Sequence, residues 1–247
     1  MKQLIIEGRY DSLVTKLSNK LLEVIKNSYS AVSDPKGKFG KQKTYFRKGE
    51  KLTYIETEKY RPTYWEEVNA PDIPLQFYLS LKVQWQEGLG TMITDGGAYN
   101  DSKKVTNAEE PPLIEFLFEL DPEQYPNILS RVAMELRDIL RHEIEHLTQS
   151  GWNINMAKYL RGDEARRNKI NARELPVYKY YTLPKEIPAM IQGLYMRAKK
   201  SKQPFKDVVN ANLQRGVDNG VISAEDKETI IKTWRKYLPK LGIQQEL

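Results

Sequence analysis

The residues with the most evident chemistry lie in LRHEIEHLTQSG, residues 140–151, where His142 and His146 flank Glu143. On a helix, positions i and i+4 share a face, with Cβ atoms ~5–6 Å apart. Two imidazoles so placed can reach one Zn2+ ion at ~2.0–2.1 Å, while Glu143, next to the first, can address a water on the metal. These are the only 2 histidines in 247 residues. With histidine that scarce, an accidental H-E-x-x-H has odds of roughly one in a thousand.

A catalytic zinc takes three protein ligands and keeps a fourth position open. No third histidine exists and there are 0 cysteines, so the remaining ligand is a carboxylate or a tyrosine. Glu186 lies in PKEIPA, far enough after His146 for a loop and a helix to return. Pro184 suits the first turn of a helix. Ala189 and Gly193 follow on the Glu186 face and would let that helix approach the motif helix closely. Asp163, Glu164 and Glu174 are the competing acids; they stand among Arg and Lys in a polar stretch that reads as solvated.

The pieces HEIEH (142–146) and PKEIPA (184–189) together resemble the gluzincins, zinc peptidases with an HExxH helix and a glutamate ligand from a later helix. The metzincin pattern is absent, since Gln149 and Trp152 stand where it needs Gly and His. The resemblance implies a zincin-like fold, Zn2+ held by His142, His146 and Glu186, and Glu143 as general base. It also implies a zinc-dependent endopeptidase acting on peptide or protein. Such enzymes place a histidine or tyrosine on the oxyanion. With no histidine left, Tyr178, Tyr180 or Tyr181 in VYKYYTLPKE, or an arginine, must serve. Two positions depart from the stricter peptidase pattern: Glu145, expected to face solvent and pair with Arg141, and Thr148, where an apolar residue is usual.

Positioning these groups requires a scaffold, and the hydrophobic periodicity outlines one. Residues 127–150 form one long helix, roughly 36 Å at 1.5 Å per residue, with Ile128, Val132, Leu136, Leu140 and Leu147 as its stripe. Before it the period is two. Residues 4–7, segments either side of a turn at 48–50, and residues 75–85 and 113–120 all read as strands. A helix over about 11–28 follows the first strand. Gly88, Gly90, Gly96 and Gly97 mark a turn-rich region. A peptide could add to a sheet edge, either at 96–100 or along 113–120. After the motif helix, residues 151–182 read as irregular with short helices. Helices then run from about 184 to 200, 205 to 219 and 224 to 238, the last with a Ser223/Asp226 capping box. The expected architecture is α+β: a mixed or antiparallel sheet, the HExxH helix, a second ligand helix and a helical tail. We divide it as a metallopeptidase domain over 1–200 and a packed extension over 201–247.

Composition is compatible with this. The chain is 40% hydrophobic and 29% charged, enough for a compact core. No apolar run approaches the ~20 residues of a membrane span, and the charged residues near position 1 do not suggest a secretory signal. The expected location is cytoplasmic, without membrane association. The net charge of +6 permits an acidic partner without requiring one. Residues 36–51 interleave Lys36, Lys38, Lys41, Lys43, Arg47, Lys48 and Lys51 with Phe39, Tyr45 and Phe46. The alternative reading is therefore a polyanion- or nucleic-acid-binding protein in which the metal is structural or absent.

Overall fold

The computed structural model describes residues 10–32, 42–47, 50–55, 63–70, 75–99, 113–149 and 157–247. The expected strand at 4–7, residue 100 and residue 150, the last expected of the long helix, lie outside these. Two compact units are formed, Thr15–Leu136 and Met1–Val14 with Arg137–Leu247.

In chain order the elements are helix α1 (Asp11–Val32), strands β1 (Gln42–Arg47), β2 (Glu50–Ile55), β3 (Thr63–Ala70), β4 (Leu75–Trp85), β5 (Ile93–Tyr99) and β6 (Leu113–Leu120), then α2 (Leu129–Gln149), α3 (Ala157–Asn171), α4 (Glu186–Ser201), α5 (Phe205–Asp218) and α6 (Ala224–Arg235). A mixed sheet thus precedes the HExxH helix α2 and the Glu186 helix α4, the zincin-like order along the chain. No helix among the described residues is long and apolar enough to cross a membrane.

The first unit is built on the six-stranded sheet, in the order β2-β1-β3-β4-β6-β5. β4 and β6 pair in parallel, with Leu79 opposite Ile114, Leu81 opposite Phe116 and Val83 opposite Phe118. All six of these side chains are fully buried, and each such side chain contributes ~1.5–3 kcal/mol of hydrophobic stabilisation. The intervening residues carry polar contacts, including the Lys82–Glu115 ion pair at 2.7 Å. Two-residue alternation therefore holds on both central strands, as it must where the two faces differ. Leu17, Leu21 and Ile25 bury one stripe of α1. Near its end Ser28 accepts a hydrogen bond from the Trp85 indole at 2.9 Å.

Two expectations change here. β6 lies between β4 and β5, so its backbone is already paired on both sides and offers no edge for a peptide; β5 is the edge strand. Gly96 and Gly97 are inside β5 and pair with Phe116 and Glu115 rather than forming a turn. The turn is confined to Gly88 and Gly90, both at positive φ (70° and 64°), where a Cβ would be strained. Where described, the basic segment 36–51 forms the β1–β2 antiparallel hairpin.

The second unit contains the remainder of α2 with α3 to α6. Its core joins Ile187, Ile191 and Leu194 of α4 to Phe205, Val209 and Leu213 of α5 and Ile230, Ile231 and Trp234 of α6. α6 begins with the expected capping box, in which Asp226 N–H donates to Ser223 Oγ at 3.0 Å and Ser223 N–H to Asp226 Oδ2 at 2.9 Å. The stretch read as irregular with short helices contains a 3-10 turn at Val177–Thr182 and a helix longer than expected, α3 at 15 residues. The described side chains of α3, 163–171, are mostly exposed, and its sequence is polar and carries no apolar stripe, so periodicity missed it.

α4 approaches α2 unusually closely. A Cβ added to Gly193 would lie 2.9 Å from the Asp138 backbone oxygen, so only glycine admits this spacing. One turn later Arg197 forms an ion pair with Asp138 at 2.6 Å. Glycine inside a helix costs ~1 kcal/mol relative to alanine; here it brings the first turn of α4 within reach of the histidines.

Candidate metal centre

Imidazoles at i and i+4 of α2 converge as the helix requires. Their Nε2 atoms are 3.0 Å apart, and the rings meet edge to face at 80°. Glu186 opens α4. Its Oε2 lies 3.3 Å from His146 Nε2 and 3.6 Å from His142 Nε2. The three ligand atoms all fall within 4.8 Å of one another. Three donors on a tetrahedral zinc with bonds of ~2.0–2.1 Å must be about 3.3–3.4 Å apart. The measured separations bracket that value. Oε2 is buried and accepts no protein hydrogen bond, an arrangement that leaves a carboxylate oxygen aimed at a point shared by two imidazoles. Two nitrogens and one oxygen with this spacing are diagnostic of a Zn2+ site.

The surrounding electrostatics favour positive charge at that point. Burial alone would raise the Glu186 carboxyl, but the contacts with His142, His146 and Arg167 reverse this and hold it far below the usual carboxylate range. Burial likewise opposes charge on His142, yet Glu186, Glu143 and Asp138 outweigh it and raise its pKa. The Glu143 carboxylate lies 3.9 Å from His142 Nε2 and is buried, next to the metal-binding point without being one of the three converging ligands. Exposure is graded across the centre. The Glu186 and His146 side chains are 0% and 6% exposed and form the floor, while His142 at 19% and Arg167 at 40% form the solvent edge.

The competing acids are not at the centre. Glu164 and Glu174 are exposed. Asp163 is buried rather than solvated, because its Oδ2 accepts from the Lys185 N–H at 3.0 Å, at the start of α4. Glu145 also departs from expectation. It does pair with Arg141, at 2.9 Å, but the side chains are only 13% and 1% exposed, since this part of α2 is enclosed on nearly every side. The Arg141 guanidinium also lies over the Tyr10 ring.

The three tyrosines part company. Tyr180 lies beside the Arg167 guanidinium, 5.6 Å from ring centre to Cζ. Burial first, and then the Glu186 charge, push its hydroxyl well above the ordinary phenol range. Tyr178 and Tyr181 instead pack on the α4–α6 core, and the Tyr181 carbonyl accepts from the buried Trp234 indole at 2.8 Å. Arg167 was not anticipated individually. It donates to Glu186 Oε1, and no local signal distinguishes it from the Arg and Lys around it. Lys185 completes the cationic side, its ammonium depressed by burial and by Arg167.

Comparison with protein-family models, with curated proteins and with solved structures finds no match to this chain. The geometry is consistent with the zinc-activated water chemistry of HExxH metalloendopeptidases. His142-Glu143-x-x-His146 with the distant Glu186 matches the active site of a gluzincin-type zinc peptidase.

Proposed function

We propose that this protein is a zinc-dependent endopeptidase acting on peptide or protein in the cytoplasm. The observation that carries the proposal is the convergence of His142, His146 and Glu186 within 4.8 Å, with a non-ligating carboxylate, Glu143, alongside. In this reading His142, His146 and Glu186 hold the metal. Bound zinc would polarise the scissile carbonyl and lower the pKa of its water to ~7. Glu143 takes the proton of the attacking water and delivers it to the leaving amine, work suited to a carboxylate kept out of the ligand set. Tyr180 donates a hydrogen bond from its phenol O–H to the developing oxyanion and keeps its proton. Tyr178 and Tyr181, turned to the helical core, support the segment that presents it. We retain the division into a catalytic part over 1–200 and a helical extension over 201–247; the apolar packing of α5 and α6 on α4 supports their role as a buttress for the ligand helix.

Protein purified without added zinc should contain close to one zinc per chain. Its cleavage of an unfolded protein substrate should stop on chelation and return with zinc. Undiminished cleavage by folded, metal-free protein would overturn the proposal. Tyr180→Phe should lower kcat by about 10²–10³-fold, the usual consequence of removing one oxyanion donor, while Tyr181→Phe changes it little. The reverse ranking would transfer the role to Tyr181.

A further inference from the structure

A carboxylate can bind a metal through one oxygen or both, and the choice decides whether a coordination position stays open for water. Here the two oxygens of Glu186 have separate partners. Oε1 accepts from the Arg167 guanidinium, a charge-assisted bond. Oε2 faces the two histidine Nε2 atoms. Arg167 is anchored from below by the Tyr180 ring. Four residues earlier on the same face of α3, Asp163 accepts from the backbone N–H of Lys185, the residue before Glu186. Lys185 occupies the N-cap of α4 and supplies no side-chain cap of its own. One helix therefore grips the backbone at the start of α4 and also the side chain one residue later.

Resting on the zinc reading above, we infer that α3 is a two-point clamp that makes Glu186 a one-oxygen ligand: Asp163 sets the backbone and Arg167 occupies Oε1. Arg167 acts through Glu186 and is a positioning residue. Its side chain is 40% exposed, so its substitution leaves no cavity in the core.

The test uses the full chain loaded with Co2+, whose visible absorption is more intense for four-coordinate than for five-coordinate sites. Arg167→Met, checked for native circular dichroism, should bind Co2+ about 10–100-fold more weakly, the usual effect of losing an outer-shell partner. Its absorption should also fall toward the five-coordinate pattern as Oε1 becomes free to bind. Arg167→Lys, which keeps a cationic donor, should restore the four-coordinate spectrum. Unchanged affinity and spectrum in Arg167→Met would overturn the clamp, as would weaker binding with unchanged band intensity. Failure of the unmodified protein to bind Co2+ would instead overturn the zinc reading beneath it.

Discussion

Glu143→Gln is expected to keep its zinc and lose its turnover. Glutamine preserves the shape of the side chain, and Glu143 contributes no atom to the three-ligand cluster, so metal content should stay at the unmodified level. The amide cannot take a proton from water, and positioned acid–base catalysis supplies about 10²–10⁴-fold. A fall in kcat of at least that size, with KM changed much less, is the result anticipated from steady-state kinetics alongside metal analysis. Retention of most of the activity would remove Glu143 from the role of base; among the described residues, the other buried carboxylate within ion-pair distance of His142 is the ligand Glu186.

Glu186→Ala should have the opposite signature, with metal lost first and activity lost as a consequence. Outer-shell changes typically weaken metal binding ~10–100-fold; deleting a ligand should exceed about 100-fold. Thermal unfolding gives a direct measure. At zinc about 100 times Kd, binding stabilises the native protein by ~2.7 kcal/mol. In a domain of this size that raises Tm by about 5–10 °C. The variant, at the same free zinc, should show a rise of about 1 °C or less. A zinc-induced rise equal to that of the unmodified protein would sink the ligand assignment. Arg167 is partly solvated and keeps its hydration when its partner is removed, so the folded state should survive for the comparison.

The two variants separate two properties that were unequally legible in the chain. His142, Glu143 and His146 could be read directly because their geometry is local: a helix puts i and i+4 on one face whatever surrounds it. Elimination narrowed the third ligand to the acids or tyrosines, in a chain without cysteine and with two histidines, and Glu186 stood out among them by its distance from His146, its neighbours Pro184, Ala189 and Gly193, and the resemblance of PKEIPA to a gluzincin ligand helix. The alternating strands β4 and β6 and the capped helix α6 were likewise set by near neighbours.

What the residues alone left undetermined depends on partners distant in sequence. That β6 is internal and β5 an edge follows from strand order, which no single strand encodes. The burial of Asp163 and of the Arg141–Glu145 pair follows from enclosure by other segments, and a charged residue carries no mark of that in its own sequence context. Tyr180 and Tyr181 are adjacent and chemically identical, yet on a 3-10 turn neighbours point roughly 120° apart, so one meets Arg167 and the other meets the helical core. The metal-binding chemistry was thus written in residue types and helical spacing, whereas the orientation of the third ligand, the choice of tyrosine and the hold of Arg167 on Glu186 were decided by tertiary packing, because each depends on two surfaces brought together only when the chain folds.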